Sequence, residues 1–292
     1  MTEKRFDMWI LYAAASAVFA GITSILAKVG MQDTDSNLGT ALRTGVVLVF
    51  SWIMVAITGA LPGIWTLTGT NLLFLVLSGL STGASWICYF RALQLGNVNK
   101  VTPIDKSSTI LTMILAFLIL GEPITGFMLL GMVLMGAGTL LMIQKKEGES
   151  EVKDRRWLIF ALLSAVFAAL TSILGKMGVQ GINSNLGTAI RTIVVLIMAW
   201  VIVFAQGKQK LIHTLSRNNW IFLVLSGIST GASWLFYYRA LQEGVASIVV
   251  PIDKLSIVVT IVIARIFLHE KLSGRALVGL LGIVAGTLVL LL

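Results

Sequence analysis

The sequence predicts an all-α integral membrane protein, with ten transmembrane helices arranged as two inverted five-helix repeats. Three observations lead there. The chain of 292 residues is 57% hydrophobic and only 12% charged, whereas a soluble domain has about 25% charged residues. Its apolar residues gather in runs near the length of about 20 residues that a bilayer crossing takes. The second half of the chain repeats the first.

The first five runs fall near 8–31, 38–60, 72–97, 101–120 and 125–143. The opening MTEKRFDMW leads into the first of them. No small-residue cleavage site ends that run, so it reads as a spanning helix rather than a removed signal peptide. QDTDSN separates the first two runs, with Ser36 or Asn37 placed to cap the second helix. LGEPITG makes the turn between the fourth and fifth. A charged linker, QKKEGESEVKDRR, follows, and then five more runs near 156–179, 186–208, 220–245, 249–268 and 273–291.

One offset, 148 (253 − 105), takes Asp105 to Asp253, Arg43 to Arg191, Arg91 to Arg239 and Glu122 to Glu270. Without any gap, roughly half of the paired positions are identical. Polar residues match as well as apolar ones, so shared composition does not account for the likeness. The chain therefore divides into a first repeat with its linker, 1–148, and a second repeat, 149–292. Five is odd, so the second repeat crosses the membrane in the opposite sense. Inverted repeats of this kind build secondary transporters, with the site near the midplane between them.

Orientation follows from the loops in which the repeats differ. The loop GALPGIWTLTGTN has no basic residue, but its partner has Lys208, Lys210 and Arg217; LGEPITG has none, but LHEKLSGR has Lys271 and Arg275. Lys100, conversely, occurs only in the first repeat. The positive-inside rule then puts the linker in the cytoplasm and both termini outside, although Lys4 and Arg5 pull the other way. A bacterial cytoplasmic (inner) membrane is the expected location. The net charge of +9 comes from residues scattered between apolar runs, with no basic tract, so nucleic acid is not an expected partner. The single Cys88 excludes an internal disulfide. No cofactor or metal site is expected.

GLSTGASWICYFRALQ begins at Gly79 and returns at Gly227 as GISTGASWLFYYRALQ. Both copies contain G-x-S-x-G, which in a hydrolase presents a nucleophilic serine on a strand-to-helix turn beside a base. Here the motif lies inside a predicted helix. The two histidines, His213 and His269, have no counterparts in the first repeat. An intramembrane serine hydrolase is thus the remote alternative. The same letters spell G-x-x-x-G, which lets membrane helices approach closely. Beside the glycines run Ser78, Thr82, Ser85 and Tyr89, bordered by Trp86, and in the second copy Ser226, Thr230, Ser233 and Tyr237, bordered by Trp234. A single serine is accounted for by a bond to the carbonyl one turn back. A stripe repeated in both halves predicts a water-accessible substrate path. The fourth run adds Asp105, Ser108 and Thr112, repeated as Asp253, Ser256 and Thr260. The first run adds Ser16 and Thr23, repeated as Ser164 and Thr171. The fifth and tenth runs have glycines instead, Gly131, Gly136 and Gly138 against Gly279, Gly282 and Gly286, which predicts peripheral packing or a homodimer contact.

Charges inside spans are costly and mark pairs or pathways. Lys28, Arg43, Arg91, Asp105 and Lys106 fall on one side of the membrane, and inversion places Lys176, Arg191, Arg239, Asp253 and Lys254 on the other. Arg43 with Asp105, and Arg191 with Asp253, are the candidate gates, with Lys28 and Lys176 as secondary charges. Arg91 lies close to a helix end, where a long side chain reaches the interface.

With five spans per unit, the helix-four endings LILGEPIT (Leu118–Thr125) and FLHEKLS (Phe267–Ser273) and the glycine-rich fifth span, the chain resembles the EamA family of the drug/metabolite transporter superfamily. The resemblance covers both repeats. His269 replaces the glycine of the family's L-G-E-x pattern in the second. Pro103 and Pro251, near the start of span four and its partner, resemble the half-length members, as if two had been fused. The resemblance implies transport of amino acids, other small metabolites or drugs, often outward. The related small multidrug exporters use a carboxylate in helix one, but SAVFAGITSILAK and SAVFAALTSILGK have none. The surplus of cations favours a small anionic or zwitterionic, amino-acid-like metabolite. A multidrug exporter of organic cations or amphipaths is the alternative.

Overall fold

The computed structural model describes residues 8–32, 34–95, 101, 104–142, 156–267 and 273–292. The linker at 145–155, together with Lys4, Arg5, Lys100, Pro103, His269, Glu270 and Lys271, lies outside the described residues. Among those described, the regular structure is helical. The helices are α1 (Met8–Gly30), α2 (Ser36–Ile57), α3 (Gly69–Leu95), α4 (Ser108–Leu120), α5 (Gly126–Met142), α6 (Arg156–Gly178), α7 (Ser184–Ala205), α8 (Arg217–Glu243), α9 (Ala246–Lys254), α10 (Ser256–Phe267) and α11 (Gly274–Val289). Short 3₁₀ turns at Leu61–Thr66 and Lys208–Thr214 follow α2 and α7.

Seven helical stretches among the described residues are long and apolar enough to cross a membrane, with Ala246–Phe267 taken as one; α5 and α11 are apolar but shorter. Large apolar side chains such as Val49, Ile57, Leu118, Val133, Phe204 and Leu281 are exposed along them. Acyl chains, not water, suit such a surface.

Two local expectations change. The cap of α2 is Asp35, whose Oδ1 accepts from the backbone N–H of Asn37 at 3.0 Å and of Leu38 at 3.1 Å. Ser36 and Asn37 are already helical, so neither can reach those donors. Asn183 caps α7 in the same way, accepting from the Asn185 N–H at 2.9 Å. The ninth span, read as one run, is broken at Leu255 between α9 and α10. There the Leu255 N–H bonds the Ile252 carbonyl at 3.0 Å, three residues back instead of four. Pro251, inside α9, removes one helical donor just before the break. The fourth span tightens at the equivalent place, with the Ser107 N–H bonding the Ile104 carbonyl at 3.1 Å. Hydropathy does not register a single-residue interruption of this kind.

Two compact units interleave the repeats. One gathers the described residues within Met1–Leu80, Leu174–Gly244 and Ile252–His269; the other gathers those within Ser81–Ile173, Val245–Pro251 and Glu270–Leu292. In the first unit α1 packs on α8 and α10, and α2 on α7 and α8. The predicted glycine contacts appear here. A Cβ at Gly79 would lie 2.7 Å from the Val194 side chain, and one at Gly227 would lie 2.6 Å from Val46, the equivalent valine. Asn71 donates to the carbonyls of Gly178 and Gln180, and Asn219 repeats this with Gly30 and Gln32.

In the second unit α5 packs on α11. A Cβ at Gly138 would lie 2.5 Å from the Gly279 carbonyl oxygen, and one at Gly131 would lie 2.8 Å from that of Gly286. The glycine faces of α5 and α11 thus meet one another inside the chain, which leaves their opposite, leucine- and valine-rich faces for any contact between copies. Beside them Met113, Met128, Met132, Met135 and Leu290 form an apolar cluster.

Candidate functional site

Within each unit, residues of the predicted polar stripes pair across the two repeats. In the first unit Ser16 on α1 donates to Asp253 Oδ1 at 2.6 Å, and its Oγ lies 3.2 Å from Ser233 Oγ on α8. In the second unit the counterparts do the same: Ser164 on α6 donates to Asp105 Oδ1 at 2.8 Å, and its Oγ lies 3.3 Å from Ser85 Oγ on α3. Ser85 also donates to the Ser164 carbonyl at 3.0 Å. Each trio is a carboxylate and two hydroxyls beside an interrupted span. One turn away along α8 and α3, and two turns along α1 and α6, are the hydroxyl pairs Thr23 with Thr230, at 3.4 Å, and Thr82 with Thr171, at 3.3 Å. The serines and Thr82 and Thr230 are buried.

The arginines differ more than their sequences suggest. Arg191 is only 2% exposed. Its Nε donates to Ser78 Oγ at 2.9 Å, and its guanidinium lies 5.2 Å from the ring centre of Trp234 and 4.9 Å from that of Tyr238. A desolvated cation over aromatic faces gains about 2 kcal/mol. Tyr237 packs edge-on against Tyr238 at 5.3 Å. Arg43, by contrast, is half-buried and reaches Ser226 at 3.5 Å. Arg43 and Asp105 belong to different units. Trp86 is half-buried, and Tyr89 packs against the apolar cluster of Ala92, Val101 and Ala161.

Of the secondary charges, Lys176 donates to the Gly244 carbonyl at 2.6 Å and so caps the C-terminus of α8, a favourable place for a cation. Lys28 is exposed near the end of α1. Ser229, the serine of the second G-x-S-x-G, donates to the Phe19 carbonyl at 2.8 Å, and both copies of the motif lie within helices. That is packing geometry, not the exposed turn that a hydrolase nucleophile needs.

Tyr238 and Gly175 were not singled out by the sequence reading, although their departure from the repeat, where Phe90 and Ala27 stand, marks them. The role of Glu122 was also missed. Its carboxylate accepts from the N–H of Ala246 at 2.7 Å, the N–H of Ser247 at 2.9 Å and the hydroxyl of Ser247 at 2.7 Å. The L-G-E-P turn of the first repeat thereby holds the N-terminus of α9 in the second.

The chain is similar to known proteins in halves and as a whole. A Sinorhizobium protein described as "Uncharacterized transporter in cobO 3'region" is 48% identical over 137 residues, which cover 47% of this chain and 97% of that one. It therefore corresponds to about one repeat. A Staphylococcus aureus protein described as "Putative ribose uptake protein RbsU" is 28% identical over 148 residues, 48% of each chain, so the match spans about half of that relative. A solved crystal structure superposes with a TM-score of 0.75 at 16% identity, covering 97% of this chain and 96% of that one, a likeness of fold. The profile of the EamA-like transporter family matches twice in tandem, at residues 7–144 and 155–292. Both repeats carry the family's pattern across nearly the whole length, and the chain belongs to the EamA-like transporter family.

Proposed function

We propose that this protein is a secondary transporter that moves a small anionic or zwitterionic, amino-acid-like metabolite across the bacterial cytoplasmic membrane by alternating access, as an exporter. Arg191 carries the reading. A guanidinium buried among apolar helices is costly and marks a functional position. Its planar fork suits a carboxylate, and the hydroxyl of Ser78 and the rings of Trp234 and Tyr238 hold it in one orientation. The substrate path is assigned to Ser78, Thr82, Ser85, Trp86 and Tyr89 with Ser226, Thr230, Ser233, Trp234 and Tyr237. The gates are assigned to Arg43, Asp105, Arg191 and Asp253. The linker is assigned to the cytoplasm and Leu292 to the outside. Any homodimer through the fifth and tenth spans uses their outward apolar faces.

A second reading, a neutral polyhydroxylated solute, is favoured by the hydroxyl pairs and by the relative named for ribose uptake. Counterflow exchange in liposomes decides between them, with labelled amino acids, organic acids and ribose as probes. The expected result is exchange of carboxylate-bearing probes that falls about tenfold or more in Arg191→Lys, since a hydrogen bond to a charged group contributes about 1.5–3 kcal/mol. Exchange of ribose without any of the carboxylates would overturn the first reading.

A further inference from the structure

We propose that the two serine-held carboxylates, Asp253 and Asp105, bind and release the protons that drive transport; this rests on the transport reading above. The observation is the nature of the partner. An arginine is a fixed donor and favours only the ionised acid. A serine hydroxyl both donates and accepts, so it serves either protonation state. In the first unit Ser16 donates to Asp253 at 2.6 Å and has Ser233 Oγ at 3.2 Å. When a proton from water adds to an Asp253 carboxylate oxygen, the new O–H donates to Ser16. The Ser16 hydrogen turns to Ser233, and the Ser233 hydrogen turns to a helix carbonyl one turn back. No covalent bond breaks and no hydrogen bond in the trio is lost. In the second unit this relay is already set: Ser85 points its hydrogen at the Ser164 carbonyl and leaves its oxygen 3.3 Å from Ser164 Oγ, ready to accept.

The charges around each site give protonation a consequence. Asp253 has Lys254 beside it on its own helix, and on α8 the ring of Tyr238 lies against the Arg191 guanidinium of α7. On α1 and α8, Arg239 lies 2.5 Å from Glu243 and over the ring of Tyr12, and Lys28 is exposed. Ionised Asp253 balances the charge of the adjacent Lys254; neutral Asp253 does not. Lys106 is adjacent to Asp105; on the helices that supply its serines, Arg156 begins α6 and Arg91, near the end of α3, is bound to Gln94 at 2.9 Å. Both carboxylates sit next to a helix interruption, where a change of charge meets the least backbone resistance. The repeat supplies two such sites, each built from three residues drawn from both halves.

Two readouts keep this separate from the transport reading. Counterflow by the wild-type protein, at equal pH on both sides, tests transport alone. Infrared difference spectra of the full-length protein in lipid, acidic minus neutral, report the carbonyl stretch of protonated carboxyl groups. The expected result is a band in the wild type that is reduced in the combined Asp105→Asn, Asp253→Asn variant. With it goes wild-type accumulation of the exchanged probe under an imposed pH gradient, lost in that variant. Identical spectra from wild type and variant overturn the proposal, as does accumulation that follows a sodium gradient at equal pH. Should the asparagine variants fail to fold, Asp105→Glu with Asp253→Glu carries the test: the band must shift, and an unchanged band overturns the proposal. If counterflow fails for every probe, the transport reading falls, while the spectra still decide whether these carboxyls take up protons.

Discussion

At Gly175 any side chain would overlap the ring of Tyr238. Its missing Cβ would also stand 3.1 Å from both Ser78 Oγ and the Tyr238 hydroxyl. The first repeat has Ala27 and Phe90 at the corresponding positions, so the two repeats differ at both members of this contact. The glycine leaves room for the Tyr238 ring that supports Arg191. Gly175→Ala should therefore displace Tyr238 and loosen the arginine. Overpacking of this size costs about 1–3 kcal/mol. A lowered melting temperature of the purified protein, with impaired counterflow, is expected; an unchanged melting temperature would show that the ring moves without cost.

Glu122 joins the repeats through two backbone N–H groups and the Ser247 hydroxyl. It satisfies two N–H groups at the start of α9, a nine-residue helix with a proline inside. Losing a helix cap costs about 0.5–2 kcal/mol, and these bonds are buried and charge-assisted, which raises the figure. Glu122→Ala should lower thermal stability more than Glu122→Gln, which keeps one accepting oxygen. Faster proteolysis of the segment around Ala246 is the local readout. Equal stability of both variants would remove the capping role.

Gly138→Ala tests the contact of α5 with α11. The added methyl would meet the Gly279 carbonyl, which is backbone and cannot rotate away. The two helices must separate, and the expected loss is again about 1–3 kcal/mol. Val133→Ala, on an exposed position of α5, should be nearly neutral in stability. If the two substitutions have equal effects, the close approach is not what holds the pair.

The sequence repeat made most of the architecture legible, because polar positions kept their spacing and a fixed offset survives any uncertainty about helix ends. The hydroxyl stripes, the carboxylates and the glycine contacts were all visible as periodic features. The partners were not. Periodicity on one helix says which face is polar but not which neighbour it meets, so Asp253 was expected to face Arg191, and the bond that the structure gives it is with Ser16. The interruption at Leu255 escaped because one residue leaves the hydropathy of a span unchanged. The cap of α2 was displaced by one residue for a similar reason: Ser36, Asn37 and Asp35 are all good caps, and only geometry chooses among them. Gly175 and Tyr238 were hidden by the opposite bias, since attention to what the halves share passes over what they do not.

Both serine–carboxylate trios and both threonine pairs take their members from both halves of the chain. Inheritance is therefore reciprocal. A lesion in one half is felt at a residue encoded in the other, and second-site suppressors should map across the linker instead of beside the original change. A duplicated gene of this form cannot let one copy drift alone: each half is the other's binding partner, and the two must accumulate their differences in step.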